Sequence, residues 1–325
     1  MLTIRRYRLK HVPTPFSGVS WKIKMRGTSI LLVLSEIWMV FWERRERGFV
    51  ANLKLPLRFA KYLACTALFL GAFGRGAFVV LMLFTWFRRV DDVIDGDEPL
   101  PEGWSEKRYR EQKDKLFSSL ERGGIGRELL NEDCLLVDAI ALTSSLHTSV
   151  SEEVTDIWKV IQWECARREL RRLASRSELV RETARLDRAI LRVCVKMLRG
   201  DVDKFDGIAR AFTGVFTRAD WLDDILMDLH EQIVNIPAEA ISVYGIDMER
   251  VLACKSWEDL AQYPPFIAWY RAEVQQSTRE WQDVRARLGR DFGGVFKSWI
   301  ISRLAARMTV HKLQSQFNRA ASRAL

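Results

Sequence analysis

Two short runs of aspartate are the residues of this chain best placed to do chemistry. The first, Arg88-Arg89-Val90-Asp91-Asp92-Val93-Ile94-Asp95, closes a strongly apolar stretch. Asp91 and Asp95 are four positions apart, so on a helix their carboxylates share a face, with Asp92 turned about 100° away. The second run is Asp220-Trp221-Leu222-Asp223-Asp224-Ile225-Leu226-Met227-Asp228. Here Asp220, Asp224 and Asp228 share one face and Trp221, Leu222, Ile225 and Leu226 are apolar. Like charges stacked at this spacing cost a few tenths of a kcal/mol per pair on an exposed helix and more in a cleft, so a cation is called for. Two such rows across a gap can hold Mg²⁺, which prefers hard oxygen ligands and leaves sites for water and phosphate. A diphosphate is the natural bridging ligand, and Arg88 or Arg89 can add a fork of donors to it. Either row alone reads more readily as a solvated acidic face; the pair, each on a helix with an apolar opposite side, points to the metal.

The elements that must carry these rows are helices. Apolar residues recur at helical spacing through most of the chain, and period-two alternation rich in Val, Ile and Thr is nearly absent, so the expected fold is all-α. Breaks are expected at 96–103 (GDEPLPEG), at 123–126 (GGIG), at Pro237 and at Pro264-Pro265. The stretch 63–87 is long enough to span a bilayer, but Arg75 and the cluster Gly71, Gly74 and Gly76 interrupt it, so it reads as two buried helices joined by a turn. The stretch 29–42 (SILLVLSEIWMVFW) is too short to cross about 30 Å of hydrocarbon. Flanked by Lys22, Lys24, Arg26, Arg44, Arg45 and Arg47, it suits either a helix lying on an anionic membrane surface or an ordinary docking helix. The expected organisation is a basic, apolar extension over 1–50 and one helical catalytic domain over 51–325.

Composition narrows the function classes. The 325 residues are 48% hydrophobic and 29% charged, which suits a single large core. Five scattered cysteines without a CxxC pair and four histidines without an HxxxH spacing exclude an evident zinc site or disulfide framework. Unpaired thiols and the lack of a secretory signal pattern point to the cytoplasm; a surface-lying 29–42 helix would add peripheral contact at the inner membrane. A net charge of +9 could serve nucleic acid, an anionic membrane or an anionic substrate. Nucleic acid is disfavoured, because the basic residues are spread along helical segments and the tryptophans sit in apolar runs.

The motifs resemble those of the squalene/phytoene synthase family of prenyltransferases. The stretch 84–95 (FTWFRRVDDVID) is similar to the family's first motif, an aromatic helix running into R-x-x-D-x-x-x-D, and 220–228 is similar to its second, with Asp220 where Asn is common. Asn235-Ile236-Pro237-Ala238-Glu239 with Tyr244-Gly245 resembles the family's Y-L-P-x-E segment, and 304–309 (LAARMT) its C-terminal L-A-A-R-x-Y helix. The resemblance covers about residues 51–315. It implies a single-domain isoprenoid-synthase-type bundle with a central apolar pocket, Mg²⁺ on Asp91, Asp95, Asp220, Asp224 and Asp228, and a prenyl diphosphate substrate contacted by Arg88 and Arg89. The allyl cation needs a dry aromatic lining, for which Phe84, Phe87 and Trp221 are candidates, with Trp86, Phe212 and Phe216 beside them.

Departures from the family pattern shape the expected reaction. Where the family has a Tyr and a Gly-rich helix beside the reacting carbons, 179–188 reads LVRETARLDR. Thr309 replaces a Tyr, and Ile233 stands where a basic residue is expected. Ionisation of the diphosphate survives these changes, whereas head-to-head cyclopropane formation loses its Tyr. Glu182 or Asp187 becomes the candidate base, and the expected acceptor is a non-prenyl, electron-rich aromatic ring. Surface pairing of Arg181 and Arg185 with Glu182 and Asp187 is the structural alternative. Orthodox head-to-head condensation onto a second prenyl diphosphate, terpene cyclisation and a membrane-docked scaffold without catalysis are the competing functions.

Overall fold

In a computed structural model the described residues are 74–324 apart from 97, 123–128, 131, 231, 292–293 and 296–298. Among them are eleven α-helices and no strand, so the fold is all-α as the periodicity predicts. The extension over 1–50, its boundary at 51, the Gly71 turn and the 123–126 break lie outside the described residues, as do the side chains of Phe212 and of 304–309. No helix among the described residues is long and apolar enough to cross a membrane. By its internal contacts the chain divides into two compact units, Met1–Ser151 and Glu152–Leu325.

The first unit holds α1 (Arg75–Asp95), α2 (Glu106–Glu121) and α3 (Asp133–Ser145). Val79, Met82, Trp86, Val90 and Val93 fall three or four apart along α1 and are all buried. This stripe packs on α3, whose Leu135, Leu136, Ala139 and Leu142 are buried in turn. Each such aliphatic side chain contributes roughly 1.5–3 kcal/mol by leaving water. Gly96 ends α1 at φ 87, in the left-handed region, and the Glu98 amide then donates back to the Asp92 carbonyl at 2.9 Å.

The second unit is α4 (Ser151–Glu169), α5 (Arg176–Met197), α6 (Val202–His230), α7 (Ala238–Tyr244), α8 (Met248–Ala253), α9 (Trp257–Ala261), α10 (Pro264–Asp291) and α11 (Trp299–Ala324). The long α6 packs on α5, α10 and α11. Its first half buries Phe205, Ala209 and Val215 against Trp281, Leu313 and Phe317, and Trp281 stacks on Phe317 at 6.1 Å. Its second half buries Leu222, Ile225 and Leu229 against Phe266, Tyr270 and Ala320. The Tyr270 hydroxyl donates to the Leu222 carbonyl at 2.9 Å, which ties α10 to α6 within the acidic run.

Several helix ends explain why their boundaries are hard to read. Helices α3 to α6 close with the paired backbone bonds of a Schellman turn, and the left-handed residue is His147, Arg171, Arg199 or Gln232, with φ between 46 and 60. Glycine is the usual occupant of that position because a Cβ there is crowded. Starts are better marked: Ser175 and Glu178 form a capping box at α5, Pro237 caps α7, and Pro264-Pro265 open α10.

Candidate functional site

The apolar stripe of α1 leads directly into the first acidic run. With Val90, Val93 and Ile94 buried, Asp91 is left exposed and Asp95 half-buried. Phe84, Arg88, Asp91 and Asp95 fall within about 60° of one another around the helix, so the structure brings an aromatic ring, a guanidinium and two carboxylates onto one face. Phe84 is 59% exposed there. Arg88 Nε lies 3.6 Å from Asp92 Oδ2, an i,i+4 contact worth about 0–1 kcal/mol at such exposure. Phe87 is half-buried and meets the Trp86 ring edge-on at 4.8 Å; Arg89 is also half-buried.

A buried ionic cluster holds α1 from behind. Lys113 of α2 is fully buried, with its ammonium 2.5 Å from Asp133 and 3.0 Å from Glu132. It also sits over the Tyr109 ring at 4.5 Å. The Trp86 indole donates to the same Asp133 oxygen at 3.3 Å, and the Tyr109 hydroxyl donates to Glu132 at 3.0 Å. Burial raises the Asp133 carboxyl above the ordinary range, against the pull of Lys113. Burial works the same way on Glu132, but there the charge and hydrogen bond of Lys113 outweigh it and the carboxyl sits below its usual value. Tyr109 is pushed well up by burial and by the Glu132 charge. The cluster anchors Trp86 two residues before Arg88.

The second acidic run lies on α6 beside α11. Asp220, Asp224 and Asp228 rise along one face, with Asp224 exposed and the other two half-buried; Trp221 is half-buried beside them. Gln316 of α11 donates Nε2 to Asp220 Oδ1 at 2.5 Å, while its buried Oε1 has no partner among the described residues. Asn235 donates Nδ2 to Asp228 Oδ2 at 2.7 Å. These donors are neutral amides, so they orient the carboxylates without cancelling their charge. Asp223, one position off the row, is treated differently: its carboxylate is paired with the Arg319 guanidinium and lies 3.5 Å from Arg323.

Asn235 links the row to α4. Its Oδ1 accepts from Arg167 at 2.9 Å, and Arg167 also donates to the Val234 carbonyl at 3.1 Å and lies 4.6 Å over the Trp163 ring. Burial lowers the Arg167 pKa, with the charges of Glu164 and Asp228 opposing.

Glu182 is only 5% exposed and sits between two guanidiniums, with Arg181 Nε and Arg185 Nη1 each at 2.7 Å. Asp187 is half-buried further along α5. Both arginines thus meet on Glu182, the pairing that a purely structural role for this segment would also use.

Among the described residues, no group of three or more His, Cys, Asp or Glu side chains gathers into a metal cage. Mg²⁺ does not require one, since it is usually held by one or two carboxylates with the remaining positions on water and substrate phosphate. The α6 row fits that mode. Its carboxylates sit at helical spacing, two of them aimed by amides, and the unpartnered Gln316 oxygen beside Asp220 can accept from a metal-bound water. Sequence reasoning missed Gln316, Lys113 and Asp133, whose partners are far away in the chain. The sequence shows Asn235 only as part of the segment around Pro237, without the bonds to Asp228 and Arg167 that the fold gives it. No protein-family model matches the chain, and comparison with curated proteins finds no match.

Proposed function

We propose that this chain is a Mg²⁺-dependent prenyltransferase that ionises an allylic prenyl diphosphate and passes the prenyl group to an electron-rich aromatic acceptor. The observation that carries the reading is the α6 row, in which Asp220 and Asp228 accept from the side-chain amides of Gln316 and Asn235 at 2.5 and 2.7 Å. When bound, Mg²⁺ supplies positive charge to the departing diphosphate oxygens.

The chain's own groups do the rest. In the second unit Asp220, Asp224 and Asp228 hold the cation; in the first unit Asp91 and Asp95 offer a second carboxylate pair, beside Arg88 and Arg89, whose guanidinium donors suit a diphosphate. Aromatic faces such as Phe84, Phe87 and Trp221 steady the allyl cation by roughly 0.5–2 kcal/mol each. Glu182, held in place by Arg181 and Arg185, takes the ring proton from the acceptor after attack, giving up one guanidinium contact as it does so. Residues 1–50 keep the enzyme at an anionic membrane surface, where prenylated products partition.

The test is to incubate the full-length protein with Mg²⁺ and C10, C15 or C20 diphosphates, with and without an aromatic acceptor, and to identify products by mass. Prenylated acceptor plus free diphosphate is expected. Presqualene diphosphate, squalene or phytoene formed from the diphosphate alone would overturn the acceptor, cyclic hydrocarbon would favour a cyclase, and absence of Mg²⁺-dependent diphosphate release would overturn the function.

A further inference from the structure

The turn between α4 and α5 concentrates arginine and leucine in a way the reaction does not use. A cavity of about 160 Å³ opens there between the ends of α4 and α6 and the side of α8. One wall carries Arg167, Arg168, Arg171 and Arg172 with the single acid Glu164; the other carries Ile233, Val234, Met248 and Leu252. Next to it, Leu170 is 73% exposed and Leu173 37% exposed.

Charge decides what such a cavity accepts. Four guanidiniums face Glu164 and two helix C-termini, each end worth about half a negative charge. Arg172 is further paired with Glu178 at 2.9 Å, and Arg167 is committed to Val234 and Asn235. Asp228 also acts on Arg167, so the inner arginines are largely balanced and the cation offered to solvent is Arg171, exposed at the edge. Arg171 also occupies the left-handed closing position of α4, at φ 46, where glycine would be less strained.

We propose that this turn docks on an anionic phospholipid surface, with a lipid phosphate in the arginine-lined cavity and Leu170 and Leu173 entering the acyl boundary. A phosphate attached to an apolar chain matches both walls, whereas a free inorganic anion uses only one. Exposed leucines set among arginines are the composition of an interfacial contact. The proposal does not depend on the prenyl-transfer reading.

The experiment compares full-length wild type with Arg171→Gly and Leu170→Ser by co-sedimentation with phosphatidylcholine vesicles, with and without phosphatidylglycerol. Residues 1–50 remain in every arm, so the readout is the difference between variants. Arg171→Gly suits the backbone at that position, and circular dichroism with a melting curve checks that both variants fold. Each is expected to bind anionic vesicles about fivefold more weakly than wild type, the scale of one basic residue at such a surface, with no change on neutral vesicles. Wild-type binding by both variants overturns the proposal. A loss confined to Arg171→Gly also overturns it, because charge alone would then account for the contact. Inorganic diphosphate binding, measured by calorimetry, that disappears in Arg171→Gly while vesicle binding persists would assign the cavity to a soluble anion instead.

Discussion

Gln316 near the end of α11 donates its side-chain amide to Asp220 on α6 at 2.5 Å, joining residues 96 positions apart in the chain. A side chain that aims a metal ligand typically changes metal affinity by about 10- to 100-fold when removed. Gln316→Leu is therefore expected to raise the Mg²⁺ concentration needed for half-maximal diphosphate release by that factor, with a smaller change at saturating Mg²⁺. An unchanged Mg²⁺ titration in a folded variant would remove Asp220 from the site.

Neighbouring aspartates should behave as opposites. On the proposed metal site, Asp224→Asn and Asp91→Asn each remove a charged ligand, and turnover should fall by at least about 100-fold. Asp223→Asn instead breaks a pairing with Arg319 and Arg323, so stability should drop by about 1–3 kcal/mol while Mg²⁺ dependence is kept. Turnover assays and urea melts on all three separate the roles; retained turnover in both Asp91→Asn and Asp224→Asn would sink the metal assignment.

Lys113→Met should be among the most damaging substitutions in the first unit. It strands Asp133 and Glu132 without their buried cation, at a cost of about 3–5 kcal/mol. Adding Asp133→Leu in the same chain should recover part of that loss, which chemical denaturation can measure. A double variant no more stable than the single one would show that Glu132 and Trp86, rather than the stranded Asp133 charge, set the cost.

Acid should destabilise the fold in a definite window. Burial alone would raise Asp206, but hydrogen bonds and charge from Arg188 and Arg192 outweigh it and hold the carboxyl below its ordinary value. Glu132 is lowered in the same sense. Groups depressed in the folded state bind fewer protons than the unfolded chain does near their ordinary pKa, so their stabilisation is present above about pH 4 and lost below it. The urea midpoint should stay level from neutrality to about pH 5 and fall below pH 4. Arg192→Ala should shallow the fall; a midpoint level down to the lowest pH would contradict this.

One substitution should strengthen the protein. Arg199 is exposed and left-handed at φ 57, closing α5. Arg199→Gly relieves that strain, offset by the extra freedom glycine has when unfolded, for a net gain of up to about 1 kcal/mol. A higher melting temperature than wild type is the expected result.

The acidic rows were legible in the sequence because a helix repeats every 3.6 residues and Asp91/Asp95 and Asp220/Asp224/Asp228 keep that repeat without any tertiary information. Breaks carried by backbone chemistry were legible too: Gly96, Pro237 and Pro264 all stand at helix boundaries. Closures made by Arg171, Arg199 and Gln232 were not, since those side chains carry no turn signal and local packing supplies the conformation. Lys113 was hidden for another reason. Within EKRYREQKDKLFSSLE it looks like one more solvated charge, and only the fold reveals that Glu132 and Asp133 bury it. Gln316 lay beyond reach in the same way, because nothing near it in the chain announces an aspartate.

The Trp86 anchor gives α1 a rotational phase. Adjacent residues of a helix differ by about 100°, so the indole bonded to Asp133, with Val90 and Val93 behind it, selects Asp91 over Asp92 for the face shared with Phe84. One residue inserted between Trp86 and Asp91 would turn both carboxylates about 100° off that face, and seven would nearly restore the original. The first acidic row is thus defined by angle as much as by composition, and the hub that sets the angle is a lysine in another helix.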